Sequence, residues 1–571
     1  MHGQMYLPGP MHACLNVDEI IRHIVCELVQ SKAKATAAAL AFCRKSFEDP
    51  VLDVLWESQD GLLPLLKSLP GDVWNEGRYT VSTLITYIFS FLNRSIQKSF
   101  KRHPTALEWA RSRKYARKIR ALKDSEGLRV LSPEVFSVLQ LCAISEPLFP
   151  NLKALDLWFI DEKSIQFIPL FLSPRTIIIV IGFALFDSPA ATVASMFSAF
   201  PILCPNLQEI TFSNLPTDPM TAAAVSGMLI ANNPNTLRSI NVDSPLTEEA
   251  YEVIFKLPNL RDLSVMIEDG TPLPSMVLPN LAELAIECDG DSDWLPMFHG
   301  ATFEKLEAVA FYHESEQMGD FLEAFERVAL AASIQHTLSR FYLHTLHSWN
   351  PNYSSLLPFT YLKCLKIGFS CSDGCSSRVD DETITNLART MPKLESLELG
   401  NSPCCEIPIG VTVKGLMVLA NHCPDLNELQ IHFQVASLTT PPEIHETVPH
   451  IRSTPMRRDC ALRDLDVGQI PMPEESVSIV SLTLARIFPH LELIYHVDEN
   501  WEKVEGAICI SRQIIDYSGK EHHLSIPRSG FSDTSPRSCT RTVTSGETIP
   551  GRGTTPTLLR IFHVSLAQRK L

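Results

Sequence analysis

The fold is indicated most directly by the segment Leu-Pro-Asn-Leu-Arg-Asp-Leu-Ser-Val at residues 257–265. It recurs as Leu-Pro-Asn-Leu-Ala-Glu-Leu-Ala-Ile at residues 278–286, so the shared pattern is Pro-Asn-Leu-x-x-Leu-x-Leu. The last two apolar positions are two residues apart, which places them on one face of a short strand. The first apolar position closes the turn that enters the strand. One copy would be weak evidence, because Leu-x-x-Leu occurs in many helices, but a recurrence indicates a repeat.

Twelve copies of this pattern, complete or close to it, occur between residues 149 and 494. Their first apolar positions are Leu152, Leu207, Leu237, Leu260, Leu281, Leu306, Leu338, Leu362, Leu394, Leu426, Leu462 and Leu491. A degenerate copy starts at Thr176, and His496 replaces the third apolar residue of the last copy. The first positions are then 21 to 36 residues apart, which is typical of leucine-rich repeats that carry insertions.

Helical stretches such as Asp381–Thr390 and Thr412–His422 separate the copies. We therefore predict an α/β fold, with an irregular leucine-rich-repeat solenoid of one strand plus one helix per repeat over residues 126–505. No single repeat can bury its own apolar face, so stacking must create a continuous core. An ordinary α/β domain with parallel strands is the alternative, although we find no phosphate-binding first turn.

Three short helices are predicted over residues 15–58. The first begins at Asp18 and carries apolar residues at helical spacing, the second spans the alanine-rich stretch Lys34 to Phe42, and Pro50 opens the third. A bundle of this size is marginally stable alone and favours a partner.

The other segments are less regular. We expect a disordered N-terminus at 1–14, a helical connector with a basic segment at 59–125, and a mostly disordered basic Ser/Thr/Pro-rich tail at 506–571. Within the connector, Ile119 and Leu122 are three residues apart, which favours one face of a helix.

The net charge of −16 argues against a general nucleic-acid binder. Residues 94–123 are an exception, because they hold eleven Lys or Arg and one acid, Glu108. Trp109 and Tyr115 interleave with these bases, as they do in RNA-binding helices. The alternatives are a solvated helix face or an internal match to the acidic remainder of the chain, and we favour these over nucleic-acid binding.

The fifteen cysteines mostly lie among apolar neighbours, which predicts reduced thiols in a cytoplasmic and/or nuclear protein. We find no secretory signal in Met1 to Cys14. The longest apolar run, Thr176 to Phe186, is too short to cross a bilayer as a helix, so we predict no membrane partner.

Candidate metal and catalytic residues have the wrong spacing. Cys371 and Cys375 form the nearest approach to a chelating pair, while Cys404 and Cys405 are adjacent, and His422 and Cys423 suit a turn. The segment His445 to His450 is similar to a zinc-protease helix, but Pro449 breaks it. We find no nucleophile elbow, phosphate loop or dinucleotide fingerprint, and predict no metal, no cofactor and no catalytic residue.

Residues 15–56 resemble an F-box of the kind found in fungal F-box and leucine-rich-repeat proteins. Glu19-Ile20-Ile21 matches the Glu-Ile-Leu of the F-box pattern, Ile24-Val25 its Ile-Phe, and Leu55-Trp56 its closing Leu-Trp. The remaining matches are Leu28, Leu40, Phe42, Cys43, Arg44 and Phe47. The Leu-Pro pair of the pattern falls on Asn16-Val17, with Leu15 one place early.

The resemblance implies a non-catalytic substrate-recognition adaptor of a Skp1-cullin-F-box ubiquitin ligase. The F-box would bind Skp1 and the repeats a protein substrate, while other subunits would perform the ligation. The Skp1-binding residues implied are Leu15, Glu19, Ile20, Ile21, Ile24, Leu28, Leu40, Cys43, Leu55 and Trp56.

The rival hypothesis is a leucine-rich-repeat protein-binding scaffold with no ubiquitin role, whose helical head is a cap or a dimer contact. The departure at Asn16-Val17 keeps this rival open. An adaptor should expose Ile20, Ile24 and Leu28, whereas a cap should bury them against the first repeat.

Overall fold

The computed structural model describes most of the chain between residues 17 and 520. The described ranges are 17–78, 96–124, 131–143, 146–160, 162–184, 190–288, 294–313, 320–346, 351–369, 379–400, 410–439, 460–468 and 470–520. The expected disorder at 1–14 lies outside them. The chain divides into two compact units, Met1–Leu260 and Arg261–Leu571.

The first unit begins with the three predicted helices, α1 (Asp18–Gln30), α2 (Lys34–Cys43) and α3 (Lys45–Glu57). They enclose a small core, whose buried members are Ile21, Val25, Ala37, Phe47 and Val51. The third helix begins at Lys45 and not at Pro50, so that prediction was wrong. Pro50 is buried inside the helix, where packing outweighs the loss of one backbone hydrogen bond.

The rest of the first unit alternates strands and helices. Its further strands are β1 (Ser58–Asp60), β2 (Trp74–Arg78), β3 (Ile96–Phe100), β4 (Ala121–Asp124), β5 (Ala154–Ile160), β6 (Ile178–Phe183), β7 (Glu209–Ser213) and β8 (Ser239–Pro245). Its further helices are α4 (Leu63–Leu66), α5 (Ala106–Ala116), α6 (Pro133–Cys142), α7 (Glu162–Ile165), α8 (Ala190–Leu203), α9 (Pro219–Ala231) and α10 (Glu248–Ile254). Strands β1 and β4 to β8 form a parallel sheet in that order.

The connector is not purely helical, which corrects the prediction for 59–125. Strands β2 and β3 pair as an antiparallel hairpin, and β4 joins the sheet between β1 and β5. Ile119 and Leu122 are both buried, and Leu122 lies on β4. Their spacing of three belongs to another Leu-x-x-Leu turn into a strand, so the repeat architecture begins before residue 126.

The second unit also contains strands and helices, but among its described residues a helix does not separate every pair of neighbouring strands. Its strands are β9 (Asp262–Ile267), β10 (Glu283–Cys288), β11 (Ala308–His313), β12 (Arg340–Thr345), β13 (Cys364–Phe369), β14 (Ser396–Leu399), β15 (Glu428–Ile431), β16 (Asp464–Gly468) and β17 (Leu493–His496). Its helices are α11 (Phe321–Ala331), α12 (Asp381–Thr390), α13 (Val413–His422), α14 (Val435–Thr439), α15 (Val477–Ile487) and α16 (Glu499–Lys520). The nine strands are parallel and pair in chain order.

The prediction of a repeated strand is confirmed, because each of the twelve copies and the degenerate one supplies a strand at the expected place. The prediction of one helix per repeat is wrong between β9 and β10, where residues 268–282 are all described and form no helix. The registers align equivalent positions, so that Leu365 pairs with Leu397, Leu397 with Leu429, and Leu429 with Leu465. All four are buried, which makes a continuous ladder of leucines. This ladder is how repeats without cores of their own are stabilised.

The asparagine of the Pro-Asn-Leu motif links one repeat to the preceding one. The Nδ2 group of Asn151 donates to the Arg117 carbonyl oxygen at 2.6 Å. Asn206 donates in the same way to Pro174 at 3.2 Å, and Asn259 donates to the carbonyl oxygen of Asn235 at 2.9 Å. The asparagine of the motif therefore donates a hydrogen bond to a backbone carbonyl oxygen, and the motif also forms the turn.

Helix α16 extends the fold beyond the predicted boundary at residue 505. Trp501, Val504 and Ile508 are buried, and the Trp501 indole donates to the Ile470 carbonyl oxygen at 2.8 Å. The helix continues to Lys520, so the prediction of a mostly disordered tail from 506 is corrected for residues 506–520. The rest of that prediction, 521–571, lies outside the described residues.

Candidate functional site

The apolar side of α1 is wider than the part of it that the rest of the bundle covers. Ile21 and Val25 are buried, but Ile20 and Ile24 are 38% and 37% exposed. Val17, which caps the helix, is 42% exposed, and the spacing of residues 17, 20 and 24 places them on one side of the helix. We call Val17, Ile20 and Ile24 the α1 stripe.

Six of the other eight predicted docking residues divide into three groups. Glu19 and Cys43 are exposed. Leu28, Leu40 and Leu55 are half-buried and pack against the bundle core, so the expectation of an exposed Leu28 is wrong. Leu15 lies outside the described residues.

The prediction that Ile21 is a docking residue is corrected. It is 1% exposed and belongs to the bundle core, so it stabilises the bundle and cannot contact a partner while the bundle is folded.

Phe42 is missing from the predicted docking set although it matches the F-box pattern. Its side chain is 90% exposed near the end of α2, whereas Ala37 of the same helix is fully buried. The two are five residues apart, and so lie on different sides of the helix. A helical wheel centred on the small alanine face would have placed Phe42 outside the core.

The last predicted residue, Trp56, contacts the connector. Its ring stacks on Tyr115 with centroids 4.6 Å apart. Nearby, the Asp53 carboxylate accepts hydrogen bonds from Lys118 and Arg22. Partial burial by itself would raise the pKa of Asp53, but these two cations outweigh it and hold the pKa below its usual range.

The basic segment 94–123 is matched by acidic side chains within the first unit. Lys114 lies 3.7 Å from Glu48 and 3.8 Å from Asp49, both on α3. Other pairs are Arg120 with Glu57, Arg102 with Asp72 and Glu108, and Arg117 with Glu146. This arrangement supports the internal match over the nucleic-acid interface.

Helix α3 also fastens the bundle to the sheet. It leads directly into β1, which pairs with β4, and the Arg120 amide donates to the Glu57 carbonyl oxygen at 2.8 Å. The end of the bundle formed by α3 is therefore attached to the repeats, while the α1 stripe is exposed.

Metal and catalytic candidates gain no support from the geometry. Within the described ranges, we find no cluster of three metal-binding side chains. Cys423 is buried, and its Sγ lies 3.8 Å and 3.7 Å from the carbonyl oxygens of Ala388 and Met391. Burial raises the pKa of this thiol to about 12, which suits a packing residue. Residues 371, 375, 404, 405, 445 and 450 lie outside the described ranges.

No helix in the described part of the chain is long and apolar enough to cross a membrane.

Comparisons with known proteins leave the family open. No family model matches the chain, and no curated protein matches it. The F-box and leucine-rich-repeat resemblance therefore stays a prediction.

Proposed function

We propose that this chain is the substrate-recognition adaptor of a Skp1-cullin-F-box ubiquitin ligase, acting in the cytoplasm and/or nucleus. The N-terminal bundle binds Skp1, and the leucine-rich repeats bind a protein substrate. The observation that carries the proposal is the exposed α1 stripe, on a bundle whose sequence follows the F-box pattern.

The physical argument concerns what the bundle leaves uncovered. Ile20 and Ile24 cost little to expose singly, but with Val17 they form a contiguous apolar edge. Such an edge is suited to binding in an apolar groove of a partner, as the apolar side of an amphipathic helix does. The opposite attachment of the bundle is made by α3 and β1, which hold it to the repeats and leave the α1 stripe exposed.

The decisive experiment is co-purification of the full chain with Skp1, for the parent and for Ile20→Asp with Ile24→Asp. We expect recovery of Skp1 with the parent and at least about a tenfold loss with the variant, because two carboxylates would be desolvated in the groove. A matched control carries Ile202→Asp and Leu482→Asp, which change exposed apolar side chains elsewhere.

Circular dichroism must show that both variants remain folded. If the folded parent does not recover Skp1, or if the control loses as much as the variant, the proposal is overturned.

The rival, a repeat scaffold with a helical cap and no ubiquitin role, has one observation in its favour. Strand β1 does cover the edge of β4, so the α3 end of the bundle behaves as a cap. The rival predicts that changing the α1 stripe alters no partner.

A further inference from the structure

The face of β13 to β17 that points away from the leucine ladder carries two rows of side chains. Since neighbouring residues of a strand point to opposite faces, the positions between the buried leucines lie together. Pairing aligns Lys366, Glu398, Gln430, Asp466 and Tyr495 in one row. The other row contains Cys364, Ser396, Glu428, Asp464 and Leu493. We call these two rows the acidic strand face.

Charge on this face is unbalanced. Lys366 lies 3.9 Å from Glu398 and 3.6 Å from Glu428, and so serves two carboxylates. Asp464 and Asp466 add two more acids to the same rows. One lysine against four carboxylates leaves a negative surface that a cationic group would neutralise.

The pKa shifts of these carboxylates agree with the excess of negative charge. Burial raises the pKa of Asp464, and the carboxylates of Glu428 and Glu492 raise it further, while Arg463 opposes the shift. Burial likewise raises the pKa of Glu398, although Lys366 opposes the shift. At both acids, burial and the neighbouring carboxylates outweigh the nearby cation.

The acidic strand face ends in apolar side chains on β17, which is a separate observation. Leu493 and Tyr495 are 43% and 42% exposed, and Val497, just after the strand, is 70% exposed. Burial raises the pKa of Tyr495, and the carboxylates of Asp464, Glu428, Asp466 and Glu505 add to it. An exposed aromatic ring beside carboxylates is suited to a cationic side chain, which gains from both.

We propose that the acidic strand face binds a Lys/Arg-rich extended segment of the protein substrate. This inference rests on the proposed function for its substrate, and it adds the chemistry that the substrate must have. The apolar side chains of β17 would contact the aliphatic stems of the same bases.

Spacing adds a requirement. Glu398 and Asp466 lie two strands apart, which is about 10 Å at the usual strand separation. A peptide in the extended polyproline II conformation has three residues per turn and rises about 3.1 Å per residue, so bases at positions i and i+3 lie on one side, about 9 Å apart, and would reach both acids. Nucleic acid is disfavoured, because phosphates would be repelled by these carboxylates.

The test is fluorescence anisotropy with the full chain and a labelled Ser/Gly peptide that carries Lys at every third position. The site variant is Glu398→Gln with Asp464→Asn. The control variant is Glu475→Gln with Glu502→Gln, which removes the same charge from exposed positions. We expect the site variant to bind about tenfold more weakly and the control to change less than about twofold.

Equal losses in both variants would overturn the inference, since they would show only the effect of net charge. So would equal binding of a peptide with Glu in place of Lys. The chain's own segment 521–571, with seven bases and three acids, is a competing occupant. If peptide binds only after these seven bases are changed to Gln, the face holds that segment and the proposal fails.

This assay contains no Skp1, so its failure is distinguishable from failure of the adaptor proposal. Skp1 recovery by the site variant is measured in parallel and should equal that of the parent.

Discussion

At the scale of single residues, Glu108 combines a helix cap with an ion pair. Its Oε2 accepts from the Thr105 amide at 2.8 Å, and its Oε1 lies 2.7 Å from Arg102. Hydrogen bonds from Arg102 first, and from Thr105 next, lower the pKa of Glu108 to about 2.

This lowered pKa predicts an acid-sensitive contribution to stability. Because the folded pKa lies below the unfolded one, the contribution is present above pH 4.5 and is lost as the pH falls toward 2. Melting temperatures of the parent should therefore fall over this range more steeply than those of Glu108→Gln. Glu502→Gln, at an exposed position on α16, is the control and should follow the parent. Parallel curves for parent and Glu108→Gln would contradict the prediction.

The ionised side chain of Asp464 is expected to have the opposite effect on stability. Since burial and two neighbouring carboxylates raise its folded pKa, its ionised form costs stability above its ordinary pKa. We expect Asp464→Asn to raise the melting temperature at pH 7, with the gain shrinking as the pH falls. The same change should weaken binding of the basic peptide. A lower melting temperature at pH 7 would show that the aspartate is structural.

At the scale of elements, neighbouring repeats share helix caps. Asp381 of α12 accepts from the Thr412 amide at 2.8 Å and from the Gly415 amide at 3.1 Å, at the start of α13. It also accepts from the Thr412 hydroxyl at 2.5 Å. A Cβ added to Gly415 would lie 2.6 Å from the Asp381 Oδ1, so the glycine makes room for the cap.

We therefore expect Asp381→Ala to lower the free energy of unfolding by about 1–2 kcal/mol, as loss of a cap does. Urea denaturation measures this, with the neighbouring exposed Glu382→Ala as a near-neutral control. Gly415→Ala should also destabilise, but less in the Asp381→Ala background, because the clash with the Asp381 carboxylate is then removed and only the 3.0 Å contact with Val411 remains. Strict additivity of the two changes would argue against this account.

At the scale of the whole molecule, the two proposed surfaces belong to different units of the chain. The α1 stripe lies in Met1–Leu260, and the acidic strand face lies in Arg261–Leu571. A repeat protein distributes its stability among neighbouring contacts, so changes at exposed positions of one unit should leave the other intact.

We predict that the two activities separate. Ile20→Asp with Ile24→Asp should lose Skp1 and keep the basic peptide, whereas Glu398→Gln with Asp464→Asn should do the reverse. Both assays are run on both variants. Ile21→Asp is the folding control, because a carboxylate in the bundle core should unfold the bundle, at a cost of several kcal/mol. If either double variant stays folded but loses both Skp1 and the basic peptide, the prediction that the two activities separate is refuted.

The elements whose signals are local could be predicted from the sequence. Copies such as Leu394, Leu397 and Leu399 predicted their strands correctly, because apolar residues two apart with a leading leucine have few other stable arrangements. The helix Asp381–Thr390 was predicted to the residue. The existence of three helices at the N-terminus, and an apolar side on α1, also followed from periodicity.

The burial of particular apolar residues and the contacts between distant segments depend on tertiary packing and could not be predicted in this way. Ile20 and Ile21 are chemically identical neighbours, yet one is exposed and one is core, because α2 and α3 cover only part of α1. Asp53 and Lys118 are 65 positions apart, and no local pattern encodes such a pairing. Strand β4 and the rows of the acidic strand face likewise exist only through register with neighbouring strands, since side chains meet across a sheet by pairing and not by sequence distance.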